Sequence, residues 1–186
     1  MNLEKIDFQG TVTAILLSTA DSKLETRRID SLSVGFEGFP GDRHYGFLKS
    51  AGGRDKPFYT RGTTIKNHRH WSAVSVEELS KIADLMGISE LQPEWIGANL
   101  IFKGIPNFTK LPPLSRIAIG RELVLVVYEE NLPCDLPLPY IESGAGRKPK
   151  MGFAKAGKDR RGLVGWIERE GKIKTGDDVH VYIPKL

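Results

Sequence analysis

Short apolar runs separated by glycine-rich breaks set the rhythm of this chain. Thr11 to Leu17 places β-branched and apolar residues after Gly10 and predicts a first strand. Ile29, Leu32 and Val34 alternate imperfectly, as in a half-buried strand over 29–34. The next eight residues, Gly35 to Asp42, hold three glycines and one proline, a density that demands a sharply turned loop. From Lys49 to His70 the chain is charged and irregular, which predicts a long surface excursion, and segments of that length are usually functional or mobile. Trp71 to Val76 reads as a strand running into a helix. Ser75 followed by Glu78 forms a capping box, Val76, Leu79, Ile82, Ala83 and Met86 recur at helical spacing, and Gly87 terminates the run.

Beyond Gly97 the predicted strands are Ala98–Phe102, Arg116–Ile119, Glu122–Glu129, Leu163–Glu168 and Val179–Ile183, punctuated by Gly120-Arg121, Glu170-Gly171 and Gly176-Asp177. In the last strand Val179, Val181 and Ile183 face one way, and His180 and Tyr182 the other. Many short strands and a single convincing helix argue a mainly β barrel or sandwich. No repeat or low-complexity segment interrupts it. The whole of 1–186 is expected to form one domain with its core over about 10–183, and the end of the chain just after the last strand leaves no room for another.

Length and composition narrow the chemistry. A chain of 186 residues can bury roughly 70% of its unfolded surface, so it needs neither a disulfide nor a structural metal. The apolar fraction of 40% and the charged fraction of 27% are those of a globular protein. One cysteine excludes an internal disulfide, a zinc cluster of several thiolates and a self-sufficient iron–sulfur cluster. The first residues are acidic where a signal peptide would be apolar, and Leu123 to Tyr128 is too short to span a bilayer. The cytoplasm is therefore the expected location, with no membrane partner. The net charge of +4 is mild, and no nucleic-acid-binding fingerprint accompanies it.

Two segments concentrate candidate chemistry. Cys134 lies in Asn131-Leu132-Pro133-Cys134-Asp135-Leu136-Pro137, after the most apolar strand and between two stiffening prolines. Local sequence alone favours a buried, inert thiol. Set near arginines, the same residue would be a thiolate, hence a nucleophile or a soft metal ligand, and Asp135 would oppose that if it pointed the same way. Gly41-Asp42-Arg43-His44-Tyr45-Gly46 is the densest polar cluster. It is either a solvated turn or a loop whose Arg43 and His44 reach an anionic ligand while Asp42 fixes the backbone. His68-Arg69-His70 looks like half a metal site but has too few companions for zinc. Arg61, Arg69, Arg160 and Arg161 read as surface residues, the pair Arg160-Arg161 before Gly162 being the better anion candidate. Asn99 reads as a turn residue.

Taken in order, these pieces resemble the MOSC family, named for the C-terminal domain of molybdenum-cofactor sulfurases. The carriers are the Gly-Asp-Arg-His core within Gly35 to Gly46, Ser75-Val76-Glu77-Glu78-Leu79, Glu94 to Leu100, Ile119-Gly120, Pro133-Cys134, Arg161-Gly162 and Gly171 to Val181. The resemblance implies a MOSC-type β-barrel with one or a few short helices around a cofactor cleft. It implies a bound molybdenum–pterin cofactor, with Cys134 either ligating molybdenum or carrying sulfur as a persulfide. Asp42 and His44 would join Cys134 as catalytic residues, and Arg43, Arg61, Asn99 and Arg161 would line the cofactor pocket. Pyridoxal phosphate is not expected. Reductases of the family remove oxygen from N-hydroxylated small molecules. Those with an extra N-terminal domain carry a partner surface not expected in this chain, and the C-terminal extension of some compact bacterial members is not expected here either. With no cluster-forming cysteines and no dinucleotide fingerprint, the chain would depend on an external electron donor or a sulfur donor protein. Two other readings remain: a cofactor-free cysteine hydrolase or transferase pairing Cys134 with His44 or His70, and a non-catalytic anion-binding module.

Overall fold

The computed structural model describes residues 2–6, 8–18 and 24–185. Its first half contains β1 (Leu3–Lys5), β2 (Gly10–Ser18), β3 (Thr26–Ile29), β4 (Ser31–Val34), β5 (Leu48–Ser50), β6 (Thr64–Lys66), β7 (Trp71–Ser75) and helix α1 (Val76–Met86). The second half adds β8 (Leu100–Lys103), β9 (Arg116–Ile119), β10 (Leu123–Glu130), helices α2 (Leu138–Ala145) and α3 (Phe153–Ala156), β11 (Leu163–Arg169), β12 (Gly171–Lys174) and β13 (Asp178–Pro184). Seven strands close on themselves in the order β13-β9-β10-β11-β7-β8-β2, with β2 returning to β13 through Thr11 opposite Asp178. Closure removes the free sheet edges of the barrel strands. Among the described strands only β7 and β8 pair in parallel, because α1 carries the chain back across the barrel between them.

The barrel is filled by alternate residues of its strands, among them Val12, Ile117, Ile119, Leu125, Val127, Val179 and Val181, all with no exposed surface. A second apolar layer lies outside the wall. There Leu79, Ile82, Ala83 and Met86 of α1 meet Ile141 of α2 and Phe153 of α3. The α1 boundaries follow their local chemistry: Ser75 accepts a hydrogen bond from the Glu78 amide, and Gly87 closes the helix at φ +69°.

Several elements differ from the sequence expectation. The strand expected over 29–34 is divided at Asp30: β3 pairs with β2 on the barrel, whereas β4 leaves it to pair with β12. Gly171, expected as punctuation, begins β12, which fits only because glycine leaves room against Leu123 and Glu122. The excursion after Lys49 is braced by the β5–β6 hairpin. Helices α2 and α3 join the single expected helix, α2 beginning behind Pro137 and Pro139, where the missing N–H groups cost nothing. No described helix is long and apolar enough to cross a membrane.

Candidate functional site

One end of the barrel opens into a cleft of about 610 Å³, walled by the loop after β4, the β5–β6 excursion, the Asn131–Pro137 segment and the approach to β11. Its lining holds five cationic side chains, Arg43, Lys49, Arg54, Arg69 and Arg161, against one carboxylate, Asp55, together with His44 and the thiol of Cys134. Lys49 and Asp55 pair with each other at 2.7 Å. Among the described residues Asp55 is the one acid of the lining, while Arg69 pairs with Glu129 outside it.

The Gly35–Gly46 loop is anchored from below by Asp42. Its carboxylate accepts from the amide and hydroxyl of Ser18, each at 2.9 Å, from the His44 amide at 2.9 Å and His44 Nδ1 at 3.0 Å, and from Asn99 Nδ2 at 2.9 Å. Burial pushes the Asp42 carboxyl up, but these hydrogen bonds and the His44 charge outweigh burial and hold it well below the usual carboxylate range. An ionised Asp42 accepts a hydrogen bond from Nδ1–H of His44 and so fixes which imidazole nitrogen faces outward. Asp42 itself does not border the cleft: its side chain has no exposed surface, and every bond it accepts is internal. It acts on the site by holding the loop. Asn99 does the same, with Nδ2 bonding Asp42 and the Leu16 carbonyl while Oδ1 accepts from Ser72. Neither residue lines the cleft.

Cys134 is partly exposed in the cleft wall. The Asn131 amide donates to the Gly162 carbonyl at 2.8 Å, tying the start of its segment to β11, and the Leu138 amide donates to the Asp135 carbonyl where α2 begins. The carboxylate of Asp135 accepts the Ala154 amide at 2.8 Å, so it is occupied by α3.

Asn131 organises two of the arginines. Its Oδ1 accepts from Arg54 Nη1 and from Arg69 Nη2, both at 3.0 Å, while Arg54 also donates to the Leu132 carbonyl and Arg69 pairs with Glu129. Arg161 is the deep member of the group, 6% exposed. One terminal nitrogen donates to the Ile96 carbonyl; the other, Nη1, is buried and meets no acceptor. Its guanidinium lies 5.9 Å from the centre of the Phe153 ring. Burial lowers the Arg161 pKa to about 10, and the neighbouring charges of Arg54, Arg69 and Arg43 add to that, while Cys134 acts in the opposite sense. A buried cation with an unmet donor is costly unless an anion completes it.

Cys134, His44, Arg43 and Arg161 are therefore brought to one cleft. Arg61 is not: it is exposed on the excursion and does not border the cavity, since the turn between β5 and β6 carries it outward. His70 is buried away from the lining, which leaves His44 as the imidazole that shares the cleft with Cys134. No group of three or more His, Cys, Asp or Glu among the described residues could hold a bare metal ion. His68 instead stacks 5.0 Å from Tyr128. Arg54, Arg69 and Asn131 were not legible as a group, because they meet only through long-range folding. The one local signal is Gly52-Gly53-Arg54-Asp55, in which glycines again frame an arginine and an acid.

The fold and this cleft belong to a known class. The MOSC domain family matches residues 60–180, and the chain is a member of it. It is 39% identical over 175 residues to YuaD of Bacillus subtilis (strain 168), covering 92% of this chain and 91% of that protein, which is provisionally assigned to metal–sulfur cluster biosynthesis. The crystal structure of the Bacillus subtilis YuaD protein superposes with a TM-score of 0.92 at 34% identity, covering 99% of this chain and 100% of that one. YiiM from Escherichia coli shares the fold more distantly, with a TM-score of 0.58 at 13% identity over 95% of this chain and 71% of its own.

Proposed function

We propose that this chain binds a molybdenum–pterin cofactor in the arginine-lined cleft, with Cys134 serving the metal or a sulfur passed to it. The observation that carries this reading is the buried Nη1 of Arg161, a donor without an acceptor on the wall it shares with Cys134. A phosphorylated pterin would supply the anion that such a donor requires, and Arg43, Arg54 and Arg69, which line the same cavity, would neutralise further phosphate charge. The donor set fits as well. A single thiol, with no metal cluster among the described residues, suits a metal that would arrive with its own pterin ligand and take one soft sulfur from the protein.

When bound, the cofactor would supply two-electron redox and oxygen-transfer chemistry, and the activity we assign to it, on the family resemblance, is reduction of N-hydroxylated small molecules with electrons from an external donor. The chain's own residues bind, orient and neutralise: the arginines hold the anion, and Asp42 holds His44 at the mouth. A second reading, sulfur carriage for a cofactor, is favoured by the provisional metal–sulfur assignment of the YuaD relative. Protein produced in the cytoplasm of a cofactor-competent host should release fluorescent pterin on oxidative denaturation. Cys134→Ala should release pterin while losing the metal if the thiolate is a ligand. Absence of pterin from the wild-type protein would overturn the reading.

A further inference from the structure

The cleft presents a nucleophilic atom and an unmet anion donor together. Cys134 is partly exposed in its wall, and Arg161, 6% exposed, borders the same cavity with Nη1 buried and lacking an acceptor. Arg54 and Arg69 are clamped beside the cysteine segment by Asn131 Oδ1. The carboxylate that follows Cys134 in sequence is bonded to the Ala154 amide. Five cations against one acid among the described lining residues favour an anion over a neutral substrate, although Lys49 and Arg69 are already ion-paired. An anion that also contains a transferable sulfur would satisfy the arginines with one end and meet the thiol with the other.

We propose that Cys134 is loaded with sulfur from a small sulfur-bearing dianion, of which thiosulfate is the simplest, its sulfonate end held by Arg161 with Arg54 and Arg69. This rests on the reading of the cleft as the place where Cys134 handles sulfur or metal, and it names the donor class. The step balances without an added oxidant. The thiol proton is lost to solvent, and the Cys134 sulfur attacks the outer sulfur of thiosulfate. A sulfur–sulfur bond forms on the protein while the bond to the sulfonate sulfur breaks, and that electron pair leaves with sulfite. The product is a persulfide on Cys134. The arginines serve both ends of the step, since the donor and the departing sulfite are anions held in a low-dielectric wall.

The test uses full-length protein from a host unable to make the pterin cofactor, incubated with thiosulfate. Sulfite release is followed together with the intact mass. The expected result is one sulfite per chain and one added sulfur on Cys134, with none on Cys134→Ala. Loading by thiosulfate should slow roughly tenfold in Arg54→Met and roughly a hundredfold in Arg161→Met, the range expected for lost charge-assisted hydrogen bonds. Modification of Cys134 by methyl methanethiosulfonate, an uncharged thiosulfonate, should slow by a clearly smaller factor than thiosulfate loading in both variants. Should Arg161→Met fail to fold, Arg54→Met carries the comparison. Two results overturn the proposal: no sulfur added by thiosulfate, or equal slowing with thiosulfate and the uncharged thiosulfonate. Molybdenum measured on protein from a cofactor-competent host separates the two readings. Protein that holds molybdenum but never accepts sulfur sinks only the donor proposal, and protein that accepts sulfur but never holds molybdenum sinks only the cofactor reading.

Discussion

Thr109 Oγ1 accepts the amide hydrogen of Gly162 at 2.8 Å. The same hydroxyl donates to Glu78 Oε2 at 2.8 Å, and the carbonyl of Gly162 receives the Asn131 amide. Gly162 is thus fixed on both sides, between Arg161 and the segment that bears Cys134. It must be glycine: its φ is +86°, and a Cβ would lie 1.8 Å from the Ala73 carbonyl oxygen. One buried hydroxyl outside the cleft lining therefore helps set the approach of its deepest arginine. Thr109→Val keeps the shape but leaves the Gly162 amide unmet, a cost of about 2 kcal/mol in urea denaturation. Anion affinity of the folded variant should fall as well, and an unchanged affinity would show that Gly162 holds position without it.

If Arg161 binds the proposed anion, binding and stability conflict there. Its charge is desolvated and one of its donors is unmet, so Arg161→Met should stabilise the ligand-free protein. The expected gain is about 2 kcal/mol, less whatever the orphaned Ile96 carbonyl takes back. Thermal unfolding of the ligand-free protein should then rise by roughly 5 °C. The stabilising shift that anions give the wild-type protein should vanish. A variant that is less stable in both conditions would mark Arg161 as a structural residue.

Acid should weaken the fold in two stages. Burial, reinforced by the charges of His68 and Lys66, lowers the His70 pKa to about 4 from its ordinary 6.5. The unfolded chain binds that proton first, so stability falls as pH drops from about 6.5 to about 4, by up to roughly 3 kcal/mol. Asp42 acts lower down. Its folded carboxyl is held below the unfolded value, so its contribution is complete above about pH 4 and is lost as pH falls further. Melting temperature against pH should show both slopes, and His70→Gln should remove only the upper one.

The arginines should divide by position rather than by number. Arg61 is exposed and off the cleft, so Arg61→Ala should leave ligand affinity within twofold. Asn131→Asp places a carboxylate between Arg54 and Arg69 and should cost tenfold or more, through an anion of its own competing for the same guanidinium groups. Titration calorimetry with inorganic phosphate or sulfate compares the two.

Local pattern made the barrel legible. The period-two alternation of β13, the capping of α1 by Ser75 and the strand at Arg116–Ile119 follow from neighbouring residues alone. What escaped was decided by distant contacts. Gly171 looks like a turn until Val34 pairs with it, and Pro137 and Pro139 look like loop residues until the apolar layer beneath receives Ile141. The site divides the same way. Cys134, Arg43, His44 and Arg161 stand out by their proline and glycine surroundings. Arg54 and Asn131, 77 positions apart, acquire meaning only through the hydrogen bond between them. Asp42 and Asn99 were legible as polar residues of consequence, but their burial beneath the cleft is set by Ser18 and Ser72, which no motif joins to them.

Molybdenum content per chain, measured on wild-type and Arg161→Met protein purified from the same cofactor-competent host, addresses the central claim most directly. The account expects close to one atom per wild-type chain, and a folded Arg161→Met protein with less than a tenth of that. Equal metal in the two proteins, or none in either, would contradict it.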